Sequence, residues 1–414
     1  MVMLPYTVAF LLLSSLQTVE IANSQSFIGI NYGQVADNLP PPPSTAKLLQ
    51  STSIQKVRLY GSDPAIIKAL ANTGIGIAIG TANGDIPGLA SDPNFAKSWI
   101  NTNVLPFYPA SNIILITVGN EVMTSNDQNL MNKLLPAMQN VQNALNDASL
   151  GGKIKVSTVH SMGVLKQSEP PSSGSFDPSY GDLMKGLLEF NSANGSPFAI
   201  NPYPYFAYRS DTRHETLPFC LFQPKAGRID GNSKIKYMNM FDAQVDAVYS
   251  ALNSMGFKNV EIVVAETGWP FKGDDNDVGP SIEIAHLRSM VGTPLMPGKS
   301  VDAYLLALYD EDLEPRPRSE RSFGSKTQSL AAAPQPPPTE STSTSTGTTN
   351  NNSSTSTSTS TGTGTSTSTS SSTNTISISS GSNKVYSIRI FNLGLFYGFM
   401  GFSLICLFFY DLQT

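Results

Sequence analysis

Apolar positions along the chain fall into two alternating patterns. Short runs rich in β-branched residues occupy 27–32, 54–60, 75–82, 113–118, 154–160, 197–203, 260–265 and 301–309. Between them, apolar residues recur three and four apart. Leu130, Leu134, Met138, Val141 and Leu145 form one such stripe, and Phe241, Val245, Val248, Leu252 and Met255 form another. The runs read as strands and the stripes as helix faces that pack on a sheet. Strand alternating with helix predicts a parallel sheet, and eight repeats predict closure into a (β/α)8 TIM barrel over residues 25–324.

The pattern stops at both ends of that stretch. Residues 1–24 hold an apolar segment too short to span a bilayer, followed by small residues, and read as a secretory signal peptide. The competing reading is a buried first strand or helix. Residues 325–383 begin with Pro334 and Pro336-Pro337-Pro338 and continue as Ser, Thr, Gly and Asn, without one charged side chain over 341–383. Such a segment buries too little apolar surface to offset the entropy of ordering it, so it is expected to be a disordered spacer, open to O-glycosylation. Asn351, Asn352 and, in the barrel, Asn194 head N-x-S triplets. Residues 384–414 carry Lys384 and Arg389 and then an uncharged stretch over 390–410. A transmembrane helix has this length. The small residues 379–383, the short polar spacer and the near-absence of anything after the apolar tail favour a GPI-attachment signal, removed in the mature form.

Composition narrows the chemistry. Only 14% of residues are charged and the net charge is -5, so no basic excess exists to bind nucleic acid. Two cysteines, Cys220 and Cys406, supply neither a disulfide framework nor a cysteine metal site, and Cys220 reads as a small buried hydrophobe. No GxGxxG follows the first strand and no GxxxxGK[ST] occurs, so dinucleotide and phosphate-cradle readings lack their loops.

In a barrel of this type the functional groups sit where strands end and βα loops begin. There the chain places Asn31-Tyr32-Gly33, Arg58-Leu59-Tyr60, Gly119-Asn120-Glu121, His160, Asn201-Pro202-Tyr203-Pro204-Tyr205, Glu266-Thr267-Gly268-Trp269 and Tyr309-Asp310-Glu311. Glu121 and Glu266 end strands four and seven and should face each other across one pocket. A carboxylate beside a buried strand is expensive to place without a purpose. Two in an aromatic-lined cleft suit glycoside hydrolysis, one protonated to donate to the leaving oxygen and one ionised to attack the anomeric carbon. Tyr32, Tyr60, Tyr203, Tyr205 and Trp269 would offer ring faces to sugar, with barrel-rim packing the alternative for each. Asn120 would donate to the sugar 2-hydroxyl. Arg58 could instead satisfy the glutamates as a buried ion pair, and His160 could be a rim histidine or a partner of the site.

These residues resemble the plant endo-1,3-beta-glucanases of glycoside hydrolase family 17. Ile28-Gly29-Ile30-Asn31-Tyr32-Gly33 is similar to the opening strand, Ile116-Thr117-Val118-Gly119-Asn120-Glu121-Val122 to the proton-donor motif, and Glu266-Thr267-Gly268-Trp269-Pro270 to the nucleophile motif. Pro204-Tyr205-Phe206-Ala207-Tyr208 and Ser319-Glu320-Arg321 match as well. The resemblance implies a retaining hydrolase of internal bonds in beta-1,3-glucan such as callose. Glu121 is then the acid/base and Glu266 the nucleophile. Asn201 joins the substrate-binding set, and Glu311 and Glu320 are supporting carboxylates. No metal or organic cofactor is implied, and the expected partners are beta-1,3-glucan and, through a GPI anchor, the outer membrane leaflet. A monomer at the cell surface or wall is expected. The other readings are a glucan-binding wall protein with weakened turnover and a passive head on a glycosylated stalk.

The chain departs from the family pattern in several places. Glu314 stands where a lysine is usual, and an anion beside a carboxylate cluster should raise its neighbours' pKa values. The stretch between Pro270 and Gly292 is short, leaving a helix over about 281–291 with Ile284, Leu287 and Val291 as a thin apolar face. Gly61 replaces an aspartate, the closing segment after Gly324 is missing, and so is the cysteine-rich carbohydrate-binding appendage. These departures point to imperfect closure of the last strands or to a variant gene product.

Overall fold

The apolar runs pair side by side, in parallel. The computed structural model describes residues 27–324 apart from 212, 224–226, 275–292 and 300. Its barrel strands are β1 (Ile28–Asn31), β2 (Lys56–Arg58), β3 (Gly76–Thr81), β4 (Asn112–Asn120), β5 (Lys155–Ser161), β6 (Phe198–Asn201), β7 (Ile262–Thr267) and β8 (Asp302–Leu305). Each bonds to its neighbour in chain order, and β8 returns to β1 to close the ring. The expectation of imperfect closure is therefore corrected. Ile28, Gly29 and Ile30 pair with Ala303, Tyr304 and Leu305, and Val263 and Val264 pair with Asp302 and Ala303. The helix expected over 281–291 lies outside the described residues.

Around the ring run α1 (Pro42–Gln50), α2 (Pro64–Ala69), α3 (Ile86–Ser91), α4 (Pro93–Asn103), α5 (Gln128–Asp147), α6 (Gly181–Asn194), α7 (Pro204–Ser210), α8 (Thr216–Cys220) and α9 (Met240–Ser254). Asp63, Asp92, Asp127 and Asn239 each accept from a backbone N–H in the first turn of the helix that follows. That satisfies a donor the helix itself leaves without a partner. Leu134, Met138, Val141 and Leu145 on α5, and Phe241, Val245, Val248 and Leu252 on α9, are buried in the layer between helices and ring. Each such side chain contributes about 1.5–3 kcal/mol.

Inside the ring, Phe27, Ala78, Leu115, Val263 and Tyr304 form a separate cluster, with Phe27 edge-on to Tyr304 at 5.4 Å between ring centres. Gly29 makes room for it, since a Cβ there would lie 2.5 Å from the Tyr304 ring. The barrel is thus filled beneath its C-terminal rim.

Two polar groups behind the rim are structural. His160 is stacked on Phe198, ring centres 4.6 Å apart, and burial lowers its pKa to about 3, so it packs as a neutral ring. On α9, fully buried Asp246 accepts from Tyr237 Oη at 2.9 Å, from the Leu295 N–H at 2.8 Å and from the Thr293 hydroxyl. It ties the stretch leading into β8 to α9. Cys220 is buried and free, its thiol donating to the Pro204 carbonyl at 3.4 Å.

Candidate active site

Both glutamates sit where a strand leaves regular pairing. The register between β4 and β5 shifts between Thr117 and Asn120, one residue before Glu121. That between β7 and β8 shifts between Val264 and Thr267, across Glu266. Irregularities of this kind re-aim side chains at barrel rims. Here they turn two carboxylates into one cavity of about 690 Å³, which Tyr32, Tyr60, Asn120, Asn201, Tyr203, Glu311 and Glu320 also line.

Glu266 is 7% exposed and bonded at both oxygens. Arg58 Nη1 donates to Oε1 at 2.7 Å and Tyr203 Oη donates to Oε2 at 2.8 Å. Arg58, 1% exposed, comes from the end of β2. Burial is the largest influence on its pKa and would lower it. The Glu266 carboxylate together with Tyr60 and Tyr203 outweighs burial, so the net shift is upward and the guanidinium stays charged. Tyr60 and Tyr203 both have pKa values raised far above the ordinary phenol, first by burial and then by Glu266, so both keep their protons.

Glu121 is held differently. Among the described residues its side chain accepts from Asn201 Nδ2 at 2.7 Å. Burial raises its pKa, the Asn201 bond opposes the rise and the Glu266 charge reinforces it. Arg316 and Arg58 act weakly in the opposite direction. The protonated form is favoured relative to a free glutamate. Asn120 Oδ1 accepts from Arg58 Nη2 at 2.8 Å. That contact fixes the amide orientation and leaves Nδ2 as a donor. The ion pair weighed against catalysis thus exists, but it engages Glu266 alone, and the same guanidinium orients Asn120.

The acidic side of the cleft comes from the loop after β8. Glu311 Oε1 accepts from the Val35 N–H at 3.0 Å, and Gly33 permits the approach, because a Cβ there would lie 2.1 Å from the Glu311 carboxyl carbon. Burial raises the Glu311 pKa, and Glu314 and then Glu266 add to the rise. This is the effect expected of Glu314, though it ranks behind burial. The anion itself is compensated, since Arg316 Nε meets Glu314 at 3.0 Å and Arg316 Nη1 meets Glu320 at 3.2 Å. Arg316 also lines the cavity. Among the described residues no group of three or more His, Cys, Asp or Glu is placed to hold a metal ion.

Two of the expected sugar contacts are elsewhere. Tyr205 is fully buried and Trp269 packs edge-on to it at 5.4 Å and stacked on Tyr208 at 6.0 Å. Neither lines the cavity. α7 turns Tyr205 inward, and Trp269 fills the space between it and Tyr208. Tyr32 reaches the cavity but is 2% exposed, with its hydroxyl on Thr45 at 3.5 Å and its ring against Tyr309. Phe206, Gln244 and Arg316 line the cavity without having been singled out. They belong to segments whose position only tertiary contacts decide. Arg58 alone left a signal as a site residue, a cation inside the apolar run 54–60.

Comparison with known proteins follows this geometry. The family model for glycosyl hydrolases family 17 matches residues 28–330. A glucan endo-1,3-beta-glucosidase of Arabidopsis thaliana is 69% identical over 324 residues, covering 76% of this chain and 64% of the relative. A glucan endo-1,3-beta-D-glucosidase of Olea europaea is 64% identical over 324 residues, covering 76% and 70%. The chain therefore spans slightly less than two thirds of the Arabidopsis relative. Among solved structures, a beta-1,3-glucanase and allergen of Cryptomeria japonica pollen superposes with a TM-score of 0.69 at 38% identity, covering 73% of this chain and 96% of that one.

Proposed function

The chain belongs to glycosyl hydrolases family 17, and from that premise we propose that it is a retaining endo-hydrolase of 1,3-beta-glucan. The observation that carries the reading is the unequal treatment of two carboxylates in one cavity. Glu266 accepts hydrogen bonds from a buried guanidinium, Arg58, and from Tyr203, while Glu121 meets the Asn201 amide and burial favours its proton. In the first step Glu266 attacks the anomeric carbon as Glu121 gives its proton to the departing glycosidic oxygen. In the second, Glu121 takes a proton from water, which displaces Glu266 and restores the beta configuration. Asn120 Nδ2 donates to the sugar 2-hydroxyl, and Tyr60 and Phe206 give the glucan ring faces. Glu311 and Glu320 border the cleft as supporting carboxylates. Retention calls for carboxyl groups roughly 5–5.5 Å apart.

The same proposal includes the route to the substrate. Residues 1–24 direct secretion, 325–383 form a glycosylated spacer, and 384–414 are exchanged for a GPI anchor. The barrel is then presented as a monomer at the outer face of the plasma membrane, against wall glucan, in glucan turnover or plant defence. Among the described residues no helix is long and apolar enough to cross a membrane. Release of the protein from membranes by a phosphatidylinositol-specific phospholipase is the expected result, and retention after treatment points to a spanning tail.

The deciding experiment incubates residues 25–382 with linear beta-1,3-glucan beside the Glu266→Ala variant. New reducing ends and the first-formed anomer are followed by NMR. Beta product from the parent alone is expected. A folded parent that binds glucan without cutting it would instead make the protein a wall-glucan binder.

A further inference from the structure

The backbone that delivers Glu121 takes a course that β4 alone does not hold. The β3–β4 ladder ends with Thr81 opposite Val118. Beyond it, Gly119 and Glu121 both adopt the left-handed region, at φ 68° and 55°. Glycine tolerates this, but glutamate rarely does, so something must hold the turn. On one side the Glu121 N–H donates to Val159 O at 2.8 Å. On the other, the loop after β3 supplies side chains where its backbone has already turned away. Thr81 Oγ1 accepts from the Gly119 N–H at 3.3 Å. The Asn83 carboxamide then takes both backbone groups of Asn120. Its Oδ1 accepts from the N–H at 2.8 Å and its Nδ2 donates to the carbonyl at 3.1 Å.

A primary amide offers the same donor and acceptor as a peptide unit. We propose that Asn83 acts as a side-chain extension of strand β3 and is a positioning residue for Glu121, gripping the one peptide residue between two left-handed neighbours. The grip is close. A Cβ on Gly119 would stand 2.8 Å from Asn83 Oδ1, Ile86 Cδ1 and Val122 Cγ2. Glu266 is held by its own bonds from Arg58 and Tyr203, and none of them is made by Asn83, whereas the Asn120 backbone runs directly into Glu121. Loss of the Asn83 grip therefore acts first on the main chain of the proton donor and only at one remove, through the Asn120 side chain on Arg58, on the nucleophile. The inference rests on Glu121 being the acid/base.

The test compares the parent with Asn83→Ala and Asn83→Asp, each assayed on linear beta-1,3-glucan and on a dinitrophenyl beta-laminaribioside. The aryl leaving group needs no proton. Asn83→Ala is expected to lower kcat on glucan by about 10- to 100-fold with KM little changed. It should spare the first step on the aryl substrate, read as the initial burst of dinitrophenolate and as kcat/KM, because only the second step there still needs Glu121 as base. Asn83→Asp, which keeps the acceptor and loses the donor, should fall between the two, and it carries the test if the alanine variant does not fold. Unchanged kcat on glucan, or equal losses of kcat/KM on both substrates, overturns the proposal. Glu121→Gln serves as the control. If it too shows no difference between the substrates, the acid assignment itself fails, and the Asn83 proposal falls with it by a distinguishable route.

Discussion

Glu121 and Glu266 occupy equivalent places at the C-terminal ends of two apolar strands, yet their surroundings differ in kind. Glu266 remains within its strand and meets a cation and a phenol, both buried. Glu121 lies one residue past its strand, in a left-handed turn, and meets a neutral amide. The difference teaches how one barrel makes an anion and an acid from the same side chain. A buried guanidinium lies at hydrogen-bond distance from one, while on the other burial outweighs the Asn201 bond and the weaker pull of Arg316 and Arg58. Position at a strand end is therefore not sufficient to assign a role.

The comparison breaks most visibly at the nucleophile. Glu266→Ala should lose about 10⁴-fold or more in kcat, and added azide should restore turnover as an α-glycosyl azide, seen by NMR. Azide with Glu121→Ala should give the β product instead. The same anomer from both variants would mean that the roles are misassigned. Next, Glu121→Gln should cost about 10²- to 10⁴-fold on glucan, measured as new reducing ends. Arg58→Met leaves Glu266 buried without its cation. It should reduce stability by about 3–5 kcal/mol in denaturant titrations, and a loss below 1 kcal/mol would show that Glu266 does not need the pair. The smallest effect sharpens the contrast. Activity requires protonated Glu121, so it should decline as pH rises through that group's elevated pKa. Arg316 opposes the elevation across an exposed ion-pair network, so Arg316→Gln should move this alkaline limb upward by roughly 0.1–0.7 pH units. A downward move would sink the account.

The barrel was legible because eight strands buried by ring and helices leave eight predominantly apolar runs. The paired glutamates were legible for the complementary reason, that a carboxylate at the end of such a run stands out. Tyr205 and Trp269 pack beside the cavity without lining it, a placement the sequence does not reveal, because an aromatic after a strand can turn either outward to ligand or inward to packing and residue type does not distinguish the two. Closure of the ring was doubted on the length of the chain beyond β7, whereas closure depends on β8 finding β1. Asn83 was silent for another reason. Its partners are main-chain atoms, which carry no identity in the sequence.

The carboxylate on α9 that fastens the approach to β8 has a consequence for where the protein is most robust. Burial lifts the Asp246 pKa to about 6 from about 3.9 in an unfolded chain. Asp242 adds to the rise, and the bonds from Thr293, Leu295 and Tyr237 only temper it. A group whose proton is held more tightly in the fold contributes stability fully below its unfolded pKa and loses it as pH climbs through the folded one. Weak acid thus strengthens the joint beside the ring's last seam, and alkali loosens it. The neutral, buried His160 works in the opposite direction as pH falls, so the Asp246 share is read as a difference between variants. The change in thermal midpoint from pH 7.5 to pH 5 should be less favourable in Asp246→Asn than in the parent, and an equal change in both would mean that this carboxyl does not report on the joint.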